Sequence, residues 1–148
     1  MPTLRAIVSV LLVLMTTLLV SCSSPQTSKI PTTYTPEKIE QLQVYVKPLK
    51  EAVEQLAVLQ ESISKQNWID TRTIIHGPLG QLRKQMLDLS RSLLPKDQKQ
   101  ATGLARDVFA DFDRLDAAAE AQEAYSVESA FRQAARDLEA FLDLIPQA

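Results

Sequence analysis

One cysteine, one histidine and three glycines are all that 148 residues hold of those types, and aromatic side chains make up only 5%. A lone cysteine excludes a disulfide within one chain. It also argues against a thiolate metal site, which wants several sulfur or nitrogen ligands where the sequence offers Cys22 and His76. Covalent haem attachment through Cys-x-x-Cys-His is excluded for the same reason. Di-metal carboxylate bundles use Glu-x-x-His pairs, and the residue three before His76 is Thr73. Neither a Gly-rich phosphate loop nor a Gly-x-Ser-x-Gly elbow is present, and no acid, base and nucleophile set can be assembled, so the sequence implies no cofactor and no enzyme. A formal net charge of −2 lacks the basic footprint of a nucleic-acid binder. Scarce glycine and aromatics suit helices better than sheets.

Long apolar runs are scarce too. The run from Ala6 to Val20 follows Arg5, is interrupted only by Ser9, Thr16 and Thr17, and ends at small residues. At about fifteen residues it is shorter than the roughly twenty of a bilayer-spanning helix, and its layout is that of a secretory signal peptide. Leu19-Val20-Ser21-Cys22 resembles the lipobox of bacterial lipoproteins. That resemblance implies a diacylglycerol on the Cys22 thiol, cleavage before it and acylation of the new amine. Removing residues 1–21 leaves 127, with 15 basic and 18 acidic side chains and a net charge of −3, a size that suits one domain with one core. Two or three acyl chains hold a protein to a membrane where a single one binds marginally, so Cys22 reads as an anchor. The stretch from Ser23 to Thr35 is rich in Ser, Thr and Pro and has no apolar period. Residues 22–35 therefore read as a lipidated start and flexible tether, ahead of a helical domain over 36–148.

Four helical segments are expected in that domain. The first opens at Thr35-Pro36-Glu37, a cap, a proline at the first helical position and a carboxylate near the positive dipole end. Ile39, Leu42, Val46, Leu49, Val53, Leu56 and Ile63 give it one face to about Lys65, with a kink expected at Pro48. The second segment runs from about Trp68 to Leu94 on the stripe Trp68, Ile75, Leu79, Leu82, Met86, Leu89 and Leu93, and Pro95 stops it. Within it Gly77-Pro78 marks either a kink or a break. The third opens with Asp97 as cap and carries Leu104, Val108, Phe112, Leu115 and Ala119; the fourth is capped by Ser126, carries Val127, Phe131, Ala134, Leu138, Phe141 and Ile145, and ends at Pro146. No segment alternates with period two. Each helix must bury its stripe and the connections are short, which predicts an all-α, up-down-up-down four-helix bundle.

Charge is divided unevenly along the domain. Five basic residues (Arg72, Arg83, Lys84, Arg91, Lys96) and one acidic (Asp88) lie between Thr71 and Lys96, while three basic and seven acidic lie between Asp97 and Ala124. Two adjacent antiparallel helices could neutralise one another across their rims, at a few tenths of a kcal/mol per exposed pair, ~0.3. Alternatively the basic segment is a docking strip for an acidic partner, with Arg72, His76, Arg83, Lys84 and Arg91 as its candidates. For a surface metal the only candidates are His76, Asp107 and Asp111, the last two at i, i+4 on the acidic third segment. A packed histidine and a solvated helix face are the plainer readings, and no metal is assigned.

Trp68, the run Ile75-His76-Gly77-Pro78-Leu79-Gly80-Gln81-Leu82-Arg83, then Leu93-Leu94-Pro95-Lys96-Asp97-Gln98, and finally Phe141-Leu142 with Ile145-Pro146 resemble the cyanobacterial PsbQ family. Gly-Pro inside an amphipathic helix is costly, which makes the central run specific. The resemblance implies a lipoprotein of the thylakoid lumen with a four-helix bundle, an extrinsic subunit of photosystem II that stabilises the oxygen-evolving complex without supplying its ligands. It further implies the lumenal loops of the core antenna and the other extrinsic proteins as partners, with the membrane reached through the N-terminal lipid. A different class remains the alternative, a lipid-anchored helical bundle of a bacterial envelope that binds metal or small molecules. Paired histidines or polar clusters on the core stripes would favour it, and neither is visible in the sequence.

Overall fold

Thr35 and Pro36 begin the first helix as their residue types dictate. The computed structural model describes residues 31–147, so the expected signal peptide, Cys22 and the expected tether up to Ile30 lie outside the described residues. In α1 (Pro36–Ser64) the Thr35 side chain accepts from the Lys38 backbone N–H at 3.2 Å, and Pro36 sits where its missing N–H costs nothing. The helix runs unbroken through Pro48. Only the Val44 carbonyl loses its i+4 donor there, and Val44 is 73% exposed, so water can serve it.

The second expected segment is two helices, α2 (Trp68–His76) and α3 (Leu82–Ser92). Pro78 has no N–H for the Ile74 carbonyl, and Leu79 donates to it instead at 3.1 Å. Gly77 donates to Thr73 at 2.9 Å and Gly80 to Gly77 at 3.0 Å, closing a tight turn. A Cβ would meet the Thr73 oxygen at 2.8 Å from Gly77 and the His76 oxygen at 2.6 Å from Gly80, so both positions require glycine. Leu79 points inward at 5% exposure, which carries the stripe from Ile75 to Leu82 across the break.

Two helix starts differ from expectation. Pro95 does not end a helix but opens α4 (Pro95–Glu120) at its first position, with Leu94 in the cap position and Asp97 inside the first turn. A leucine offers no capping oxygen; the Gln98 side-chain amide instead donates back to the Arg91 and Leu93 carbonyls that end α3. Likewise Ser126 is not the cap of α5 (Ala124–Asp143), which starts two residues earlier behind Glu123. The reason lies in the turn. At both tight connections the residue after the helical cap position is a glutamine in the left-handed region, Gln66 (φ 51) and Gln122 (φ 59). Each turn closes with the same pair of bonds, Gln66 to Ile63 and Asn67 to Ser62, Gln122 to Ala119 and Glu123 to Ala118. This is the Schellman arrangement, made with glutamine where glycine is usual.

The described residues hold five helices and no strand. Leu42, Leu49, Leu59, Met86, Leu89, Val108, Leu115, Leu138 and Phe141 are fully buried and form one core. α4 packs most extensively on α5, and Ala101, Ala105, Ala119 and Ala134 on their stripes let the backbones approach. α1 packs on α2, α3 and α5, and α4 on both α2 and α3. Ser62 and Thr71 join α1 to α2 inside the core, their hydroxyl oxygens 3.0 Å apart. Tyr34 ties the entry to α1 to the start of α4, donating to Asp97 Oδ2 at 2.7 Å and accepting from the Leu94 N–H at 3.1 Å. Among the described residues no helix is long and apolar enough to cross a membrane.

Candidate functional site

The turn at Gly77–Gly80 sets the geometry of the charged face. Arg72 and His76 are one helical turn apart on α2 and reach the same carboxylate on α4: Arg72 Nε and His76 Nε2 lie 3.0 Å and 2.9 Å from Asp116 Oδ1. Arg72 Nη2 extends to Glu120 Oε2 at 3.3 Å. Beyond the turn, Arg83 Nη2 stands 3.4 Å from Asp113 Oδ2, and its guanidinium lies 4.7 Å above the Phe109 ring, a cation–π contact. The partners therefore descend along α4 (Glu120, Asp116, Asp113) as the cations ascend from Arg72 to Arg83, so α2 and α3 run antiparallel to α4. Lys84 and Arg91 pair within their own helix to Asp88, at 2.6 Å and 3.3 Å.

Burial pulls the Asp116 carboxyl up, but the hydrogen bonds and charges of Arg72 and His76 outweigh it and hold the group below the usual carboxylate range. For Asp88 the Lys84 hydrogen bond is the leading cause of a similar lowering. A groove of about 330 Å³ runs between the α2–α3 turn and α4, lined by His76, Leu79, Arg83, Phe109, Asp113 and Asp116. Its floor is apolar and its rim carries both signs of charge.

All five candidate docking residues are thus on the surface and each already has a carboxylate. Arg83, Lys84 and Arg91 keep 58%, 75% and 74% of their side chains exposed, whereas Asp116 keeps 20%. The metal candidates are not brought together. His76 is held by Asp116, Asp107 is exposed, and Asp111 is not on a solvated face at all: it is fully buried and paired with Arg114. Among the described residues no group of three or more His, Cys, Asp and Glu side chains could hold a metal ion. Sequence reasoning missed Phe109 beneath Arg83 and the sharing of Asp116. The i, i+4 spacing of Arg72 and His76 opposite Asp113, Asp116 and Glu120 was the available signal, and it became readable only with the antiparallel register.

Fold and surface together define an all-helical protein whose distinguishing feature is a charged face at a helix break. A family model described as oxygen evolving enhancer protein 3, PsbQ, matches residues 3–146, and the chain belongs to that family. A curated relative, CyanoQ of Synechocystis sp. strain PCC 6803, is 54% identical over 149 residues, covering 100% of this chain and 99% of the relative.

Proposed function

We propose that the chain is a non-catalytic extrinsic subunit of photosystem II, held on the lumenal side of the thylakoid membrane, where it stabilises the oxygen-evolving complex and its assembly. Membership of the oxygen evolving enhancer family over residues 3–146 is the observation that carries this reading. In it the five helices act as four arms of an up-down-up-down bundle, α2 and α3 being one arm broken at Gly77–Gly80. The descending order of ion-pair partners along α4 supports that topology.

The docking face is the strip Arg72, His76, Arg83, Lys84 and Arg91, set against acidic lumenal loops of the core antenna and the other extrinsic subunits. Exposed ion pairs contribute only ~0.2–1 kcal/mol, so a partner's carboxylates can replace Asp113 and Asp88 around Arg83, Lys84 and Arg91 at small cost. Asp116 keeps Arg72 and His76 in place meanwhile. Acyl chains at Cys22 confine the domain to the membrane surface, and the tether of residues 22–35 gives it reach, which raises its effective concentration beside the complex. Rebinding of the chain to photosystem II stripped of it tests the face. The Arg83→Gln, Lys84→Gln, Arg91→Gln triple variant should detach at lower salt than the wild type; equal retention as salt is raised would remove these residues from the interface. Cys22→Ser should free the protein from membranes lacking photosystem II, and continued attachment there would refute the anchor.

A further inference from the structure

The described residues include one acidic side chain with no exposed surface, Asp111 on α4. Arg114, one turn on, donates to its Oδ1, while its Oδ2 is buried and has no donor. Asp111 lines a groove of about 640 Å³ along the α4–α5 seam, in which Ala118 and Ala130 are buried and Ala121 and Tyr125 stand exposed at the mouth. Of its charged lining, Asp111 and Glu123 face the single cation Arg114. Gln133 is bonded to one group of each sign, Arg136 and Asp137, and adds no net charge. A buried acceptor without a donor, beside an apolar cleft with a surplus of carboxylate, fits a long cationic side chain and repels an anion. The groove opens at one end of the fold. Arg72 reaches Glu120 there, so the α1–α2 and α4–α5 turns lie together. Each turn presents a large apolar side chain three residues after its left-handed glutamine, Ile69 at 80% and Tyr125 at 82% exposure. Around the two turns four carboxylates, Glu61, Asp70, Glu120 and Glu123, stand against Lys65 and Arg72.

We propose that the α4–α5 groove and the apolar side chains at its end of the fold dock a basic segment of a partner protein, with one arginine or lysine laid along the alanines toward Asp111. The alkyl stem of that residue covers Ala118 and Ala130, and the Tyr125 ring at the mouth attracts its cation. Its nitrogen supplies the donor that Asp111 Oδ2 lacks, and apolar neighbours on the same segment cover Ile69 and Tyr125. Entry requires the Arg114 guanidinium to turn outwards. Its side chain is already 63% exposed, so this is a change between surface rotamers. The groove differs in place and in sign from the strip of cations on α2 and α3. The chain therefore carries two contact surfaces, one selecting acidic partners and one selecting basic ones.

Titration of the isotopically labelled full chain with two blocked pentapeptides, Ala-Leu-Arg-Leu-Ala and Ala-Leu-Glu-Leu-Ala, tests this through amide NMR shifts. The arginine peptide should move Ala118, Ala121, Tyr125 and Gln133, and the glutamate peptide should not. Tyr125→Ser should weaken binding about threefold. Asp111→Asn, which removes the charge and keeps an acceptor, should weaken it about tenfold. Should Asp111→Asn fail to fold, Ala121→Leu decides in its place, because it fills the exposed mouth and should abolish the shifts. Absent shifts, shifts of equal size with both peptides, shifts confined to other carboxylates, or unchanged affinity in Tyr125→Ser and Ala121→Leu would overturn the proposal. Movement of the same residues with protein concentration alone would also overturn it, assigning the groove to a second copy of the chain.

Discussion

Alanine at Gly80 would set a methyl carbon 2.6 Å from the His76 carbonyl oxygen and 3.3 Å from that of Gly77. Real Cβ atoms essentially never come within 3.0 Å of such an atom, and both oxygens are backbone, so no flexible side chain can give way. The turn must open by about half an ångström, and forced shifts of this kind cost ~1–3 kcal/mol. Alanine also restricts the unfolded chain, which returns ~0.4–1 kcal/mol. A net loss of ~1–2 kcal/mol follows, roughly 4–10 °C in Tm for a domain of this size. Gly103 is the internal control, because it lies within α4 and a Cβ there meets nothing within 4 Å. Alanine at Gly103 should therefore stabilise by ~0.5–1 kcal/mol through helix propensity. Urea unfolding followed by circular dichroism measures both against wild type. Shifts of the two variants in the same direction, or a neutral Gly80→Ala, would refute the account of the turn. The same substitution should also disturb the spacing between His76 and Arg83, which flank it.

Glutamine in the left-handed region carries strain of ~1 kcal/mol, so Gln122→Gly should raise the unfolding midpoint by about that amount; a lowered midpoint would count against the Schellman turn. Tyr34→Phe loses both hydroxyl bonds that fasten the start of α1 to α4 and should cost ~1–2 kcal/mol in the same assay. The Tyr34 hydroxyl, pushed up to about 12 chiefly by burial, stays protonated, so this difference should not change between pH 6 and pH 9. Asp116 is held below its unfolded value, so its pairs with Arg72 and His76 stabilise above that value and the benefit is lost as pH falls through the folded one. Asp116→Asn should accordingly destabilise at pH 7 by ~1 kcal/mol and converge on wild type in acid; a difference that persists unchanged in acid would exclude this pairing.

The helical stripes were legible because each obeys its own 3.6-residue period. Leu42, Val46 and Leu49, or Val127, Phe131, Ala134 and Leu138, need no partner helix to be recognised, and all are buried. Gly77-Pro78 was legible as either a kink or a break, and the sequence could not choose between them because Leu79 keeps the stripe continuous across it. Pro95 was expected only to stop the second segment, whereas its fixed φ and missing N–H also suit the first position of the next helix, which is where it stands. At the two Schellman turns the usual glycine is absent, so nothing in Gln66 or Gln122 marked them. Asp111 looked like one more carboxylate on an acidic face; only the packing of α5 makes it a core residue. Of the charged face, the composition was legible and the pairing was not, since pairing depends on register between helices rather than on the period of either. Cys22 lies outside the described residues, so the anchor remains an argument from the Leu-Val-Ser-Cys run.

The central claim is membership of photosystem II, and co-purification tests it most directly. Oxygen-evolving photosystem II isolated from the native membrane should contain this chain, and mass spectrometry of the same sample should find its N-terminus at an acylated Cys22. Recovery of the chain only in fractions without photosystem II would contradict the account and favour an envelope lipoprotein instead.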